Sequence, residues 1–260
     1  MESKIIDIAK EWLSESYDII TQKEVASLIS NGGEELIESF YKDLDFGTGG
    51  MRGIMGVGTN RINKYTIGKA TQGLANTLIE MYPGEEIGVA IAYDCRNKSD
   101  FLAQTAAEVL SANNIKVHLF EALRPTPELS FAVRELNCKS GIVITASHNP
   151  KEYNGYKVYG DDGCQIVSPF DVELISKVRS LSINEVNFKA NKELINSLGE
   201  EMDTKYISRL KTLSLSPEAI KEQSHLPIVF TGIHGTGSVM VPKALKVFGF
   251  TNVYTVASQD

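Results

Sequence analysis

Apolar residues recur over the first 42 residues, with Ile5, Ile8, Trp12 and Ile19, Ile20 at roughly helical spacing, and "SNGG" breaks the run before a further short helix. The same period returns in "KYTIGKATQGLANTLIEMY", where Ile67, Thr71, Leu74, Leu78 and Met81 share one face that ends before Pro83-Gly84. Beyond it the pattern alternates in type. "EIGVAIAYD" reads as a buried strand, "DFLAQTAAEVLSANN" as a helix capped by Ser99, "IKVHLF" as a strand, "TPELSFAVRELN" as a helix and "SGIVITA" as a strand. This β-α-β-α-β order predicts an α/β fold, a largely parallel or mixed sheet covered by helices in three α/β/α layers. In such folds ligands gather at the carboxyl ends of the strands. Asp94 and Ser147 fall at two such ends.

After "YKVYGDDGCQIVSP" a helix is expected from about Phe170 to Leu181, and the polar stretch "NEVNFKANKELINSLGEEMD" suits an inter-domain connection. The first domain is therefore drawn over 1–201. Residues 202–260 offer a helix at "TKYISRLKTL", a strand at "LPIVFTG", a glycine turn "GIHGTGS", a helix at "VMVPKALKVFGF" and a strand at "NVYTVAS". That is the beginning of a second, similar α/β domain.

Composition narrows the class. Over 260 residues, 42% hydrophobic and 23% charged residues describe a folded globular chain rather than a disordered one. An excess of 33 acidic over 26 basic residues, net −7, argues against broad binding to nucleic acid or to an anionic membrane. The charged N-terminus lacks a secretory signal and no apolar run reaches the length of a membrane span, so no membrane partner and a cytoplasmic location are expected. Cys95, Cys138 and Cys164 are widely spaced with no metal-binding or redox pattern, and are expected to be reduced packing thiols.

The chemistry concentrates where "GIVITASHNPKEYNGYK" leaves its apolar run. A hydroxyl at a rigid strand end suits a nucleophile or a phosphate carrier, and Ser147 occupies that place. A serine hydrolase fits poorly, because adjacent residues of an extended chain diverge, which separates Ser147 from His148, and no G-x-S-x-G elbow is present. Asn154-Gly155 signals a turn that would fold "YKVYG" back and bring Lys157 toward Ser147 as a donor or proton carrier, unless it is a solvated strand lysine. "FGTGGMRG" lies in a stretch with six glycines among residues 45 to 63, which predicts a shaped loop. Its backbone N–H groups could approach an anion beside the fork of Arg52, although neither a Walker loop nor a dinucleotide fingerprint is present. "YDCR" is expected to hold an ion pair, and Asp161-Asp162-Gly163 a turn rather than a metal site. His234 precedes a helix N-terminus, where it either faces an anion or is satisfied by backbone.

"TASHNPKEYNGYK" and "FGTGGMRG", followed in order by "YDCR", "RPTPELSFAVRE" and "VFTGIHGTGS", resemble the α-D-phosphohexomutase family, the phosphoglucomutases and phosphomannomutases, from about Asp45 onward. The family has four domains, the first three related α/β units, around a central active-site cleft. The resemblance implies a phosphohexomutase, with phosphoglucomutase favoured over phosphomannomutase, that interconverts hexose 1-phosphate and hexose 6-phosphate. Ser147 would carry the phosphoryl group, and a hexose 1,6-bisphosphate would be the intermediate. It further implies that Arg52 and Lys157 assist proton transfer and stabilise charge, and that His148 and Asn149 shape the serine loop. Thr48 and Gly49 of the glycine loop are the matching candidates for binding phosphate.

The family holds Mg²⁺ between a phosphoserine oxygen, here on Ser147, and the aspartates of an Asp-Gly-Asp-x-Asp-Arg loop that residues 1 to 260 do not contain. The sugar-reading Gly-Glu-x-Ser loop is also missing. The expectation is accordingly an N-terminal piece of a longer enzyme, inactive alone and lacking the C-terminal domains that would complete it. A non-catalytic sugar-phosphate-binding or regulatory module is the alternative.

Overall fold

Three short helices, α1 (Glu2–Glu11), α2 (Ile19–Asn31) and α3 (Glu34–Phe40), open the computed structural model, which describes residues 2–47 and 50–259. Their apolar faces close around Trp12, Tyr17, Leu36 and Phe40, with Tyr65 packed into the same cluster. Trp12 stacks on Tyr17 at 4.5 Å between ring centroids and meets Phe40 and Tyr65 edge-on. Such pairs add about 0.5–1.5 kcal/mol beyond their burial. Asp18 caps α2 by accepting the N–H groups of Ile20 and Thr21, and its second oxygen accepts the Tyr65 hydroxyl at 2.7 Å. One carboxylate thus starts a helix and fastens it to the body.

The chain continues through β1 (Phe46–Gly47), β2 (Gly50–Ile54), α4 (Lys64–Met81), β3 (Gly88–Tyr93), α5 (Ser99–Ala112), β4 (Lys116–Phe120), α6 (Thr126–Glu135) and β5 (Ser140–Ile144). It then forms β6 (Tyr153–Tyr159), α7 (Phe170–Ser180), β7 (Ile195–Leu198) and α8 (Glu200–Lys211). The seven strands lie in the order β1-β2-β6-β5-β3-β4-β7. β5, β3, β4 and β7 run parallel, while β6, β2 and β1 are antiparallel to their neighbours, so the sheet is mixed. On one face Ile67, Leu74 and Leu78 of α4 and Leu102 and Leu110 of α5 pack on Ile91, Ile142, Ile144 and Tyr156. On the other, Leu129 and Val133 of α6 and Met202 of α8 pack on Ala90, Phe120 and Val143. Every residue of β5 is buried, which explains why it reads as an unbroken apolar run rather than an alternating one. This is the α/β/α architecture with a mixed sheet that the alternation predicts.

Past α8 come α9 (Pro217–Glu222), β8 (Ile228–Phe230), α10 (Gly237–Phe248) and β9 (Val253–Thr255), with β8 and β9 parallel and joined through α10. α8 lies against both α6 and α10.

Several local expectations fail, among them Ile19 and Ile20 in the first turn of α2, which are 62% and 67% exposed. The glycine stretch is partly strand: β1 and β2 form an antiparallel pair on the edge of the sheet, with β2 paired to β6. Asn154-Gly155 is not the turn. Both lie inside β6, and the reversal occurs over 148–152, so the fold-back beside β5 is right while its turn is misplaced. The polar connection contains β7, which extends the sheet beyond β4. Ser99 is the first helical residue of α5, preceded by Lys98 in the left-handed region, and its hydroxyl is used elsewhere. Met81, 42% exposed, leaves the buried face of α4. Of the cysteines, Cys138 is a packing thiol, pushed up to about 12 by burial, whereas Cys95 and Cys164 are exposed.

Gly155 is glycine because a Cβ there would meet Met51 O and Thr145 O at 2.7 Å on either side, and both atoms are backbone. Gly155→Ala should therefore destabilise the protein by about 1–3 kcal/mol, the usual cost of overpacking a filled site. A urea midpoint indistinguishable from the wild-type value would show that the strands can part.

Candidate functional site

The parallel register of β3 and β5 pairs Tyr93 with Ile144, so the residues that follow them, Asp94 and Thr145, leave the sheet side by side. Asp94 Oδ2 accepts the Thr145 hydroxyl at 2.6 Å, and Thr145 Oγ1 in turn accepts the Ser147 N–H at 3.0 Å. Asp94 Oδ1 accepts the Ser99 hydroxyl at 2.8 Å and the Arg96 N–H at 3.0 Å. Behind these, the wholly buried Asn154 donates to Ser99 Oγ at 2.9 Å and to Asn97 O at 3.2 Å. The chain makes its exit from β5 on a fixed lattice of hydrogen bonds.

Ser147 is exposed and has φ +56°, in the left-handed region. A residue with a Cβ adopts that conformation at a cost of order 1–3 kcal/mol, so something must hold it. Arg96 does much of this. Its guanidinium donates to Ser147 O and Pro150 O at 2.8 Å and to Tyr153 O at 3.1 Å, and it also donates to Asn149 O. One rigid fork thus gathers four carbonyls of the 147–153 loop. Its pairing with Asp94, 3.5 Å from Nε to Oδ2, is the ion pair expected of "YDCR". The sequence reading missed the backbone clamp. Its signal was an arginine just past one strand end, next to the end of a parallel neighbour.

Lys157 pairs with Val143 across β5 and β6, which carries Nζ to within 3.5 Å of Ser147 Oγ, at the outer edge of hydrogen bonding. Burial first, and the charge of Arg52 second, hold this lysine below the ordinary lysine range. Arg52, opposite Gly155 in the β2–β6 pair, donates to Asn149 Oδ1 at 2.8 Å. Ser147, Lys157, Arg52 and Asn149 therefore come together. His148 is exposed, and its side chain makes no hydrogen bond among the described residues. Thr48 and Gly49 lie outside the described residues.

Ser147, Asn149 and Lys157 line a cleft of about 640 Å³ that also includes Arg124, Lys151 and, on the opposite wall, the turn before α10 at His234, Gly235 and Thr236, while Arg52 and His148 are not among its lining residues. Cys95 Sγ reaches His234 O across it at 3.6 Å. The size suits a small, polar ligand. A second cavity of about 660 Å³, lined by Trp12, Tyr17, Tyr65 and Phe46, holds none of the groups around Ser147. For a divalent cation the fit is incomplete. Among the described residues no group of three His, Cys, Asp or Glu could hold a metal. Asp94, the carboxylate in the cleft wall, is already committed to Thr145, Ser99 and Arg96.

Fold and site define an α/β/α domain that presents a strand-end serine to a basic cleft. Residues 43–185 match the family described as phosphoglucomutase/phosphomannomutase, alpha/beta/alpha domain I, and the chain belongs to that family. It is 40% identical over 227 residues to a phosphoglucomutase of Staphylococcus haemolyticus, covering 85% of this chain and 40% of that protein. It is 38% identical over 248 residues to a phosphoglucomutase of Staphylococcus epidermidis, covering 93% and 44%. The chain thus spans less than half the length of these relatives. A crystal structure described as a putative phosphomannomutase from Thermus thermophilus superposes with a TM-score of 0.66 at 24% identity, covering 83% of this chain and 46% of that one. Parafusin, a phosphoglucomutase of Paramecium, superposes with a TM-score of 0.60 at 16% identity, covering 82% and 44%. At these identities the structural similarity is one of fold.

Proposed function

We propose that this chain is the phosphoserine-bearing part of a phosphohexomutase, phosphoglucomutase favoured over phosphomannomutase, which interconverts hexose 1-phosphate and hexose 6-phosphate through a hexose 1,6-bisphosphate. The observation that carries the reading is Ser147 Oγ, exposed on its strained strand-end turn, with Lys157 Nζ 3.5 Å away. Phosphoryl transfer asks mainly for position and charge neutralisation, and a rigid sheet end among cations offers both. When a hexose phosphate hydroxyl attacks phosphorus, its O–H bond breaks as the new P–O bond forms, the bond from phosphorus to Ser147 Oγ breaks, and Oγ gains a proton, so one proton leaves the sugar and one reaches Oγ. Lys157, whose lowered basicity eases proton release, is the nearest group to supply it and to take it back on return. Arg52 orients Asn149 and adds positive charge beside the phosphoryl group.

For Mg²⁺, a phosphoryl oxygen on Ser147 would be the ligand supplied from the described residues. Without a completed metal site, residues 1 to 260 should show no useful turnover of glucose 1-phosphate. Robust product from the purified chain would overturn that expectation.

The direct test is peptide mass mapping after prolonged incubation with glucose 1,6-bisphosphate, which asks for one stoichiometric transfer to Ser147 rather than turnover. The expected result is phosphate on Ser147, and none on that peptide in Ser147→Ala. Phosphate found only on other residues would remove Ser147 from its assigned role.

A further inference from the structure

Beside the cleft the fold buries a carboxyl group that has no hydrogen-bond partner. Glu128, in the first turn of α6, is wholly buried, and neither of its carboxyl oxygens meets a donor among the described residues. It faces Asp203 of α8, which is also wholly buried. Asp203 is already held by Arg124, with Nε at 2.7 Å and Nη2 at 3.0 Å, and by Lys243 Nζ at 2.8 Å. Charged and titratable groups reach this cluster from each element packed around it. The loop before α6 contributes Glu121 and Arg124, α8 contributes Glu200, Asp203 and Tyr206, and α10 contributes Lys243, which also pairs with Glu200.

Two adjacent buried carboxylates cannot both be ionised cheaply when one of them has no donor. A protonated Glu128 resolves this, because its O–H can then donate to Asp203. Burial first, and Asp203 second, push Glu128 up to about 8. Burial opposes ionisation of Asp203 too, but hydrogen bonds from Arg124 and Lys243 outweigh it and hold that carboxyl below its ordinary range. The opposite shifts place the shared proton on Glu128.

The cluster stands where the two walls of the cleft meet. Arg124 lines the cleft on the Ser147 side, and Lys243 belongs to α10, the helix that follows the His234–Thr236 turn on the other. We infer that Glu128 is a positioning residue: by holding a proton against Asp203 it keeps Arg124, Asp203 and Lys243 locked, and so sets how closely the His234–Thr236 turn approaches the Ser147 loop.

Cys95 reports that approach directly, since its thiol sits 3.6 Å from His234 O. The experiment is the rate of iodoacetamide alkylation of Cys95 relative to the exposed Cys164 in the same molecule, from pH 6 to 9.5. Any difference in intrinsic reactivity between the two thiols is common to all variants. In the wild type the ratio should be steady at low pH and rise severalfold as pH passes about 8, when Glu128 loses its proton. In Glu128→Gln, whose carboxamide still donates to Asp203 but does not titrate, the ratio should stay flat. In Lys243→Gln, a change at a partly exposed side chain that provides a second probe if the first variant folds poorly, the ratio should already be high at pH 7. A ratio that follows the same course in wild type and Glu128→Gln, or that Lys243→Gln leaves unchanged, would overturn the inference. No sugar phosphate enters the assay, so its outcome is independent of the phosphoryl-carrier reading.

Discussion

Arg96→Lys should slow phosphorylation of Ser147 by glucose 1,6-bisphosphate about 100-fold, the loss that an ångström of misplacement in a reacting group produces. The reason lies in geometry rather than charge. Lysine can keep the contact with Asp94, but a single ammonium cannot span Ser147 O, Asn149 O, Pro150 O and Tyr153 O as the planar fork does. With those bonds lost, Ser147 is no longer held at φ +56° and relaxes toward commoner backbone angles. The body of the fold should suffer less. Hydrogen bonds to a charged group contribute about 1.5–3 kcal/mol each when buried, and the clamp sits at a partly wet loop, so the urea midpoint should fall only modestly. A time course read by peptide mass mapping separates the two effects. Unchanged phosphorylation kinetics in Arg96→Lys would mean that the Asp94–Thr145 bridge alone shapes the loop.

The contrast between Arg96 and Lys157 shows what the sequence could and could not convey. Lys157 was legible because its placement depends on one local fact, that the chain after Ser147 returns beside β5, and the reading survived even though Asn154-Gly155 proved to be strand rather than turn. Gly155 is needed for the close approach of Met51 O and Thr145 O, a contact between three strands that no dipeptide pattern encodes. The clamp by Arg96 depends on the parallel register of β3 and β5, which is set by tertiary packing. The same holds for Glu128 and Asp203, 75 positions apart in sequence. Each alone reads as an ordinary surface acid of an amphipathic helix. β7 was hidden because an edge strand of four residues, two of them exposed, carries too little apolar signal to stand out from a polar connection. The unbroken run of β5, by contrast, had only one economical explanation, a strand covered on both faces.

Lys157 carries the other large effect. Lys157→Met should lower the rate of phosphoryl exchange at Ser147 by about 10²–10⁴-fold, the range for loss of a positioned proton donor. Lys157→Arg then separates charge from proton transfer. It keeps a cation beside the phosphoryl group but cannot release its proton near neutral pH. If Lys157 serves mainly through charge, arginine should restore most of the rate; if it moves the proton, as its 3.5 Å approach to Oγ suggests, arginine should remain near the methionine level. The pH profile supplies the sign. The ammonium form gives the proton to Oγ, so donation is lost as pH rises through the Lys157 pKa. Burial and Arg52 lower that pKa, so the alkaline limb in the wild type should fall below the ordinary lysine value of about 10.4. Arg52→Met removes the second of these two causes, and the limb should move upward toward that value while Arg96 still holds the backbone of the 147–153 loop. A limb that does not move in Arg52→Met would assign the whole shift to burial, and full rescue by Lys157→Arg would remove proton transfer from the role of Lys157.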